Sequence, residues 1–534
     1  MIKTGNTYMR NTALFIAAVL IIMYLPFVHK PVHIDDTTFL SMAKNIRLPF
    51  TIVQEAKGYF LGRPFIMSPF HSIHPLMPYL LRTIQTLIPS ESEYIYHLCL
   101  LIFPVMLIAG IRGICSDLDL PFVPAALLTV GNPAFLPVSQ NLMADAPAFS
   151  LLVLALFFFI RGTRTGRTGF MAAGSAALLS ATGFSYSSVL FMTLFLLYLL
   201  FIHRNRPVWI GLYLIPLLML GGAAVYLAGT LVSWKGIMNE AMMGYREGAF
   251  INKILGSLAD LGVITLFINP LFIAASRGEF KRKVIYPAVF SAAAAFAAVV
   301  FVHYPPAEGA WLFLLLFSGI FFLIRTTYET LRPENRRNQV FILLLVWLYV
   351  VILFNVLIMP FAAVRYLLPV LLPSVILPLL MLRKTGYVFR AAILTAILGI
   401  AVAYGDYLYA NSYRDLPGLV QKETGSSQRV WFAGDWGMQY YMLKAGFSYL
   451  TESSNEPKQG DLIILSSVQM LVKPSPELMK RIELIDEVSF KSVFPVRVMR
   501  QDLRTGLYSH LWGLLPFTLS SGPVERFGVF RVVR

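Results

Sequence analysis

The stretch ALFIAAVLIIMYLPFVHKPVHIDD, residues 13–36, joins an uninterrupted apolar run to two adjacent aspartates. The apolar part, 13–28, has the length of a signal anchor. No small-residue cleavage site follows it, so it predicts a retained helix and not a removed signal peptide. The chain is thus predicted to leave the bilayer just before Asp35 and Asp36.

Composition extends this prediction to most of the chain. Of its 534 residues, 57% are hydrophobic and 13% are charged, and the mean hydropathy is +0.67. Soluble globular proteins carry about a quarter charged residues, so lipid must solvate much of this surface. The formal net charge of +16 would indicate nucleic acid in a soluble protein. In a membrane protein the positions of the basic residues matter more than their sum, and we expect no nucleic-acid partner.

Apolar runs that can cross a bilayer recur as far as residue 405. They predict a polytopic α-helical membrane protein with about thirteen transmembrane helices. The predicted spans are 13–28, 94–111, 121–138, 147–160, 169–184, 186–202, 208–232, 257–276, 284–303, 310–325, 339–359, 366–382 and 388–405.

The basic residues between these spans predict the orientation. With a cytoplasmic N-terminus, the inner segments hold about twice as many Lys and Arg residues as the outer segments before residue 406, as the positive-inside rule requires. This threading places the long first loop, 29–93, outside. It also places the chain after residue 405 outside, in a multi-pass protein of the inner or plasma membrane.

The sequence changes character after residue 405, which divides it into a transmembrane domain, 1–405, and an extracytoplasmic domain, 406–534. In the second domain, short apolar segments alternate with helix-like pieces such as GMQYYMLKAG, and turn formers separate them. The apolar segments are VWFAG, DLIILSS, PVRVM and FGVFRVV. This pattern predicts a small α/β domain.

The adjacent aspartates allow a structural and a chemical interpretation. One of them could cap a short helix on the membrane surface, whose apolar stripe includes Phe39 and Leu40. A cap needs one acceptor, however, and two neighbouring like charges repel. Asp145, in QNLMADAPAF at the mouth of the fourth span, is either a helix cap or an ionisable residue that faces a cavity. If these carboxylates converge on an outer cleft, one can act as a general base toward an acceptor hydroxyl or amine.

Candidate phosphate ligands lie in two other outer segments. FHSIHPLMPYL contains His71 and His74, but no Cys or third His lies nearby, so contact of one His with a phosphate is favoured over a metal site. MPFAAVRYLLPVLLP places Arg365 and Tyr366 at the outer end of the twelfth span. These two residues are either interfacial anchors or a site for an anionic headgroup, since a guanidinium matches phosphate geometry.

Together these segments resemble the GT-C superfamily of membrane glycosyltransferases. The resemblance is closest to the branch that contains protein O-mannosyltransferases and the aminoarabinose transferases of lipid A. It covers residues 10 to 405 and rests on the order, spacing and sidedness of four motifs. The motifs are IDDTTFLSMA, HPLMPYL, NPAFLPVSQNLMADAPAFSLLVLAL and RYLLPVLLP.

The resemblance implies a GT-C fold and an inverting glycosyltransferase. Its donor would be a polyprenyl-phosphate sugar held among membrane lipids, and its acceptor a lipid, a glycan or a protein at the outer face. Carried onto this sequence, it assigns the base to Asp35 and a second site carboxylate to Asp145, and Asp36 would either orient Asp35 or share the catalytic site.

The resemblance also assigns donor-phosphate binding to His74, Arg365 and Tyr366. A phosphate is already a good leaving group, so the reaction needs a base on the acceptor and positive charge near the departing phosphate. A monophosphate donor makes less demand on a metal than a diphosphate. We therefore expect no metal and no obligatory cofactor.

Two functions of other classes remain open from the sequence. A lipid or glycan transporter, or a flippase without covalent chemistry, would show paired repeats and charges in mid-membrane. The sequence shows no internal repeat, and its acidic residues cluster at outer helix ends. A scaffold whose outer domain binds a partner would not depend on Asp35 or Asp145.

Overall fold

A computed structural model describes most of the chain. The described residues are 2–46, 57–60, 63–66, 76–90, 92–231, 249–275, 284–382, 385–424, 429–450, 457–468 and 474–533.

Helices dominate the chain up to residue 424, and a short hairpin of β1 (Lys57–Phe60) and β2 (Arg63–Ile66) interrupts them. The helices up to residue 231 are α1 (Ile2–Val19), α2 (Asp36–Asn45), α3 (Leu76–Leu87), α4 (Glu93–Leu100), α5 (Ile102–Leu118), α6 (Phe122–Val130), α7 (Leu136–Ser139), α8 (Asp145–Thr165), α9 (Thr168–Phe184), α10 (Val189–Ile202) and α11 (Pro207–Leu231). The later ones are α12 (Ala249–Thr265), α13 (Asn269–Ala275), α14 (Tyr286–Val302), α15 (Pro306–Leu331), α16 (Gln339–Leu357), α17 (Leu368–Met381) and α18 (Thr385–Thr424).

Many of these helices have the length and composition of membrane spans. Within the described ranges, six are long and apolar enough to cross a membrane, and four shorter apolar helices accompany them. The six are Glu93–Leu118, Asp145–Thr165, Pro306–Leu331, Gln339–Leu357, Val364–Met381 and Gly386–Lys422. The predicted multi-pass helical membrane protein is confirmed, whereas the count of thirteen spans stays a prediction.

Two predicted spans are divided by turns. The span predicted at 121–138 consists of α6 and α7. Between them the Asn132 side chain accepts a hydrogen bond from the backbone N–H of Ala134 at 3.0 Å, which replaces a helical backbone bond. The span predicted at 257–276 consists of α12 and α13, with a turn at 266–268.

The predicted α/β domain is confirmed in the C-terminal part. Its main sheet has the order β4-β3-β5-β11-β6, with parallel pairing from β4 to β5 and antiparallel pairing through β11. The elements are β3 (Val430–Ala433), α19 (Trp436–Lys444), β4 (Ser448–Tyr449), β5 (Leu462–Ser466), α20 (Pro476–Met479), β6 (Ile482–Phe490), β7 (Val496–Arg497), β8 (Met499–Arg500), β9 (Thr505–Gly506), β10 (Thr518–Leu519) and β11 (Glu525–Val532).

One predicted strand, PVRVM, is two short strands instead. Strand β7 pairs with β10, whereas β8 pairs with β9. Both arginines of this segment, Arg497 and Arg500, are buried. Their guanidinium groups donate to backbone carbonyls, for example from Arg497 Nε to Gly522 O at 3.0 Å, so the segment bends to satisfy them.

Helix α18 passes through residue 405 without a break, so the predicted boundary between the two domains lies inside a helix. Beyond it, the chain returns to the transmembrane helices. Trp311 of α15 donates to Phe517 O at 2.8 Å, and the backbone N–H of His510 donates to Ala362 O at 2.9 Å. The His510 imidazole also pairs with Asp260 of α12 at 2.8 Å. The division at 405 stays a prediction, and the C-terminal part packs closely on the bundle.

A glycine brings the α/β domain against the segment that precedes α2. A Cβ atom at Gly437 of α19 would lie 3.0 Å from Val32 O and 3.3 Å from His33 Cβ, so a larger residue would force the two apart. The C-terminal domain therefore lies directly against the residues that precede Asp35.

Candidate active site

The two adjacent aspartates have different surroundings. Asp35 is the residue before α2, and its side chain is 25% exposed. It makes no capping hydrogen bond to the helix. Asp36, the first residue of α2, is fully buried, and its carboxylate accepts from N–H groups outside the helix. Among the described contacts neither carboxylate caps α2, so the capping interpretation does not explain the pair.

Asp35 faces the turn that precedes α17. Its Oδ2 lies 2.6 Å from Nη1 of Arg365, a guanidinium that is only 9% exposed. The Arg365 Nη2 donates to the Tyr366 hydroxyl at 3.2 Å, and the guanidinium carbon lies 5.0 Å from the centre of that ring. The Arg365 Nε is buried and has no hydrogen-bond partner among the described residues. The guanidinium thus keeps an unused donor inside the site.

Asp145 joins the same group. It is the first residue of α8 and is half-buried. Its charge acts on the Arg365 guanidinium and on Asp35. Residues from three separate segments, predicted as site residues, therefore meet at one place: Asp35, Asp145, Arg365 and Tyr366.

Asp36 is turned away from this group toward the backbone. Its Oδ1 accepts from the N–H of Leu142 at 2.8 Å, and its Oδ2 accepts from the N–H of His33 at 3.2 Å. The carboxylate thereby ties the segment before α2 to the loop that precedes α8. Between these anchors Ile34 has a φ of 49°, which a β-branched residue adopts only under constraint. The contacts of Asp36 favour an orienting role over a direct one.

The remaining predicted phosphate ligand, His74, lies outside the described residues. No group of three or more His, Cys, Asp or Glu side chains within the described ranges is placed to hold a metal ion. The expectation of no obligatory cofactor stays a prediction.

A second charged cluster behind the aspartates was not predicted from the sequence. Lys30 and Asp406, both fully buried, form an ion pair with 2.5 Å between Nζ and Oδ2. The Asp406 Oδ1 lies 3.1 Å from His33 Nε2, and its Oδ2 accepts from the Tyr508 hydroxyl at 2.5 Å. Both charged residues lie at the ends of apolar runs, where an ionisable group is costly unless it is paired. Their position at the ends of apolar runs is the feature by which the sequence could have identified them.

The electrostatics of this cluster centre on His33. Its Nε2 faces Asp406, and its Nδ1 lies 3.7 Å from Asp36 Oδ2. Burial alone would lower the pKa of the His33 imidazole, and Lys30 acts in the same direction. The Asp406 carboxylate and the contacts with Asp36 outweigh them and raise this pKa above its usual 6.5. An imidazolium offers a proton to each carboxylate, whereas a neutral ring offers one.

Comparisons with known proteins find similarity among solved structures. No protein-family model matches the sequence, and no curated protein matches it. Among solved structures, the chain is similar to ArnT from Cupriavidus metallidurans bound to undecaprenyl phosphate. The sequence identity is 13% and the TM-score 0.40, over 85% of this chain and 92% of that one.

Two further solved structures are similar at the same level. The Archaeoglobus fulgidus oligosaccharyltransferase in the apo form has 14% identity and a TM-score of 0.44, over 83% of this chain and 64% of that one. The mycobacterial arabinofuranosyltransferase AftD has 12% identity and a TM-score of 0.37, over 98% of this chain and 40% of that one. An oligosaccharyltransferase and an arabinofuranosyltransferase are thus among the solved structures to which this chain is similar. At these TM-scores the likeness carries no inference about the substrate or the site.

Proposed function

We propose that this protein is an inverting membrane glycosyltransferase, which moves a sugar from a polyprenyl-phosphate donor to an acceptor at the outer face of the membrane. The observation that carries the proposal is the pair of Asp35 and Arg365. A partly exposed carboxylate lies 2.6 Å from a buried guanidinium that keeps an unused N–H donor. A base and a phosphate-binding cation are the two groups that this transfer requires.

Arg365 binds the donor phosphate. Its planar group can give two parallel hydrogen bonds to phosphate oxygens, and burial strengthens such bonds because little water competes. The phosphate and Asp35 compete for the same guanidinium, since Nη1 already holds the carboxylate. Donor binding therefore loosens Asp35 and frees one of its oxygens for the acceptor.

Asp35 then removes the acceptor proton. The acceptor oxygen or nitrogen attacks the anomeric carbon of the sugar, and the bond from this carbon to the phosphate oxygen breaks. The proton passes to Asp35, and the polyprenyl phosphate leaves with the bonding electrons and with its charge on Arg365. Attack from the face opposite the phosphate inverts the anomeric configuration.

Asp145 supports this step without touching the proton. Glycosyl transfer passes through a state in which the sugar ring carries positive charge. A second carboxylate near Arg365 and Asp35 stabilises that positive charge. It also keeps Arg365 from binding the phosphate too tightly. We assign Tyr366 to the orientation of Arg365, because its hydroxyl and ring both contact the guanidinium.

The outer location of the site has its own test. In a variant whose native cysteines are replaced, a cysteine at the exposed Lys458 should react with an impermeant thiol reagent in intact cells. A cysteine at the partly exposed Asn335 should react only after the membrane is opened. The opposite pattern would place the site on the cytoplasmic face and exclude an outer acceptor.

The reaction itself is tested with purified protein in liposomes. The donors are polyprenyl-phosphate-linked pentose, hexose and amino sugar, supplied with an extract of envelope lipids and glycans. We expect release of free polyprenyl phosphate and an acceptor heavier by one sugar residue, both measured by mass spectrometry. Movement of the intact donor across the bilayer without either product would favour the transporter alternative.

A further inference from the structure

We propose that Lys30, His33, Asp406 and Tyr508 form a positioning cluster, which fixes the Asp35 and Asp145 carboxylates relative to Arg365. We name these four residues the buried hub. The proposal rests on the proposed glycosyl transfer and adds to it a role for the C-terminal domain, because Tyr508 belongs to that domain. None of the hub residues touches the reacting atoms.

Lys30 joins the hub to the loop before α8. Its ammonium group has three protons, and three acceptors surround it. They are Asp406 Oδ2 at 2.5 Å, Asn141 Oδ1 at 2.5 Å and Pro137 O at 3.3 Å. A fully satisfied ammonium at zero exposure fixes the positions of all its partners. Lys30 therefore fixes the position of the loop that leads to Asp145.

Tyr508 joins the hub to the C-terminal domain. Its hydroxyl donates to Asp406 Oδ2 at 2.5 Å and accepts from Asn141 Nδ2 at 2.7 Å. Its ring packs edge-on against the His33 imidazole, with 5.4 Å between the ring centres. One side chain thus contacts α18, the segment before α2 and the loop before α8.

His33 transmits the position of the hub to Asp35. The imidazole is fixed by Asp406 on one side, and the backbone N–H of His33 donates to the Asp36 carboxylate. Asp36 in turn holds the backbone of Leu142. Asp35 lies between these anchored residues on the chain, so its direction toward Arg365 follows from theirs.

A second series of contacts leads from the buried hub to Arg365. The Asn141 Nδ2, which bonds Tyr508, also lies 3.5 Å from Met143 Sδ. The same sulfur lies 3.8 Å from Arg365 Nη1. The loop before α8 therefore contacts the hub at Asn141 and the guanidinium at Met143, two residues apart.

Stability alone is a poor reason for such a cluster. Removal of two charges from water costs several kcal/mol per ion, and apolar residues of the same volume often stabilise a fold equally well. What directional bonds provide is one fixed geometry for groups that must act together. Displacement of a catalytic group by about 1 Å can lower a rate by roughly 10²-fold, so the geometry matters more to the reaction than to folding.

The test compares Tyr508→Phe with Tyr413→Phe in the full-length protein. Tyr413 is a matched control, since its buried hydroxyl donates to the Glu525 carboxylate at 2.6 Å between α18 and the C-terminal domain and makes no described hydrogen bond to the segments that carry Asp35 and Asp145. Both variants remove one buried hydroxyl group and keep the ring. Hydrogen exchange is measured for peptides that cover 28–40 and 136–146, and kcat and KM are measured for transfer.

We expect Tyr508→Phe to speed exchange in both peptides and to lower kcat by roughly 10-fold or more with little change in KM for the donor. Tyr413→Phe should leave both peptides and kcat at the wild-type level. Equal hydrogen-exchange rates in the two variants would overturn the proposed positioning role of the buried hub, whether or not the protein is a transferase. Faster exchange in Tyr508→Phe with an unchanged kcat overturns its role in catalysis. A wild-type protein that transfers no sugar overturns the proposed function, and the exchange comparison still decides whether the hub holds the acidic loops.

Discussion

Two ion pairs each take one member from the segment just before α2, and they differ in access to solvent. In the pair of Asp35 and Arg365, the carboxylate is 25% exposed and the guanidinium 9% exposed, with one donor unused. In the pair of Lys30 and Asp406, both side chains have zero exposure and full sets of partners. The first pair can exchange a partner for a ligand, whereas the second cannot.

The difference separates a group that reacts from a group that positions. A carboxylate acts as a base only if an acceptor can reach it, and Asp35 meets that condition while Asp36 and Asp406 do not. The fully buried pair of Lys30 and Asp406 instead holds together the two chain segments to which these residues belong. If this comparison is right, substitutions in the pair of Lys30 and Asp406 lower both stability and activity, whereas substitutions in the pair of Asp35 and Arg365 lower chiefly activity.

The largest effect on stability is expected for Asp406→Asn. This change leaves the buried Lys30 ammonium and the His33 ring without their counter-charge, which costs about 3–5 kcal/mol of unfolding free energy. Thermal unfolding in detergent measures it. Asp415→Asn is the matched control, because Asp415 is exposed on the same helix, and a surface change of this kind costs about 0.5 kcal/mol or less. Equal melting temperatures for the two variants would contradict a structural role for the pair of Lys30 and Asp406.

A large effect on activity is expected for Arg365. Arg365→Ala removes the phosphate ligand and should lower kcat by roughly 10²- to 10³-fold, as loss of a preorganised donor does. Arg365→Lys keeps the charge but loses the planar fork, so its activity should lie between those of the wild type and the alanine variant. The control is Arg161→Lys, since Arg161 also forms an ion pair with an aspartate, Asp117, to which it donates from Nε and Nη2. Wild-type rates in both Arg365 variants would leave this residue as an interfacial anchor.

A smaller effect is expected from pH. The folded protein raises the pKa of His33 above 6.5, so its contribution to stability is complete below that pH and is lost as pH rises through the raised pKa. The charged and titratable groups around the ring are Lys30, Asp36, Asp406, Tyr409, Tyr508 and, farther away, His97. Asp36→Asn removes one carboxylate that favours the imidazolium, so the loss of stability should be smaller and should be complete at lower pH.

Melting temperatures between pH 5 and 9 test this expectation, with the wild type and Asp36→Asn compared in the same buffers. The two curves of melting temperature against pH should differ in the pH range over which the melting temperature falls, and not only in its value. Parallel curves would show that His33 does not titrate against Asp36 in the folded protein.

The sequence predicted the class of fold and singled out Asp35 and Arg365 as candidate site residues, but it did not predict that they form an ion pair. Long apolar runs specify membrane helices whatever their partners are, and alternating apolar segments predicted the C-terminal sheet. Asp35, Asp145 and Arg365 were found because each is an ionisable residue at the outer end of an apolar run. Because all three were predicted to lie on the same side of the membrane, their proximity could be expected. The distances between them could not be derived from the sequence.

The buried hub was beyond the reach of sequence patterns. Lys30 and Asp406 are 376 residues apart along the chain, and Tyr508 comes from a different domain. Local periodicity carries no information about such pairs. The break at Asn132 was missed for another reason: its side chain replaces a helical backbone bond in a segment whose composition favours a continuous helix.

The central claim is that Asp35 is the base of a glycosyl transfer, and its most direct test is the rate of polyprenyl phosphate release by purified Asp35→Asn. Asparagine keeps the shape of the side chain but cannot accept the proton. The account predicts a melting temperature close to that of the wild type and a rate lower by roughly 10²- to 10⁴-fold. A well-folded Asp35→Asn protein that releases polyprenyl phosphate at the wild-type rate would contradict the account.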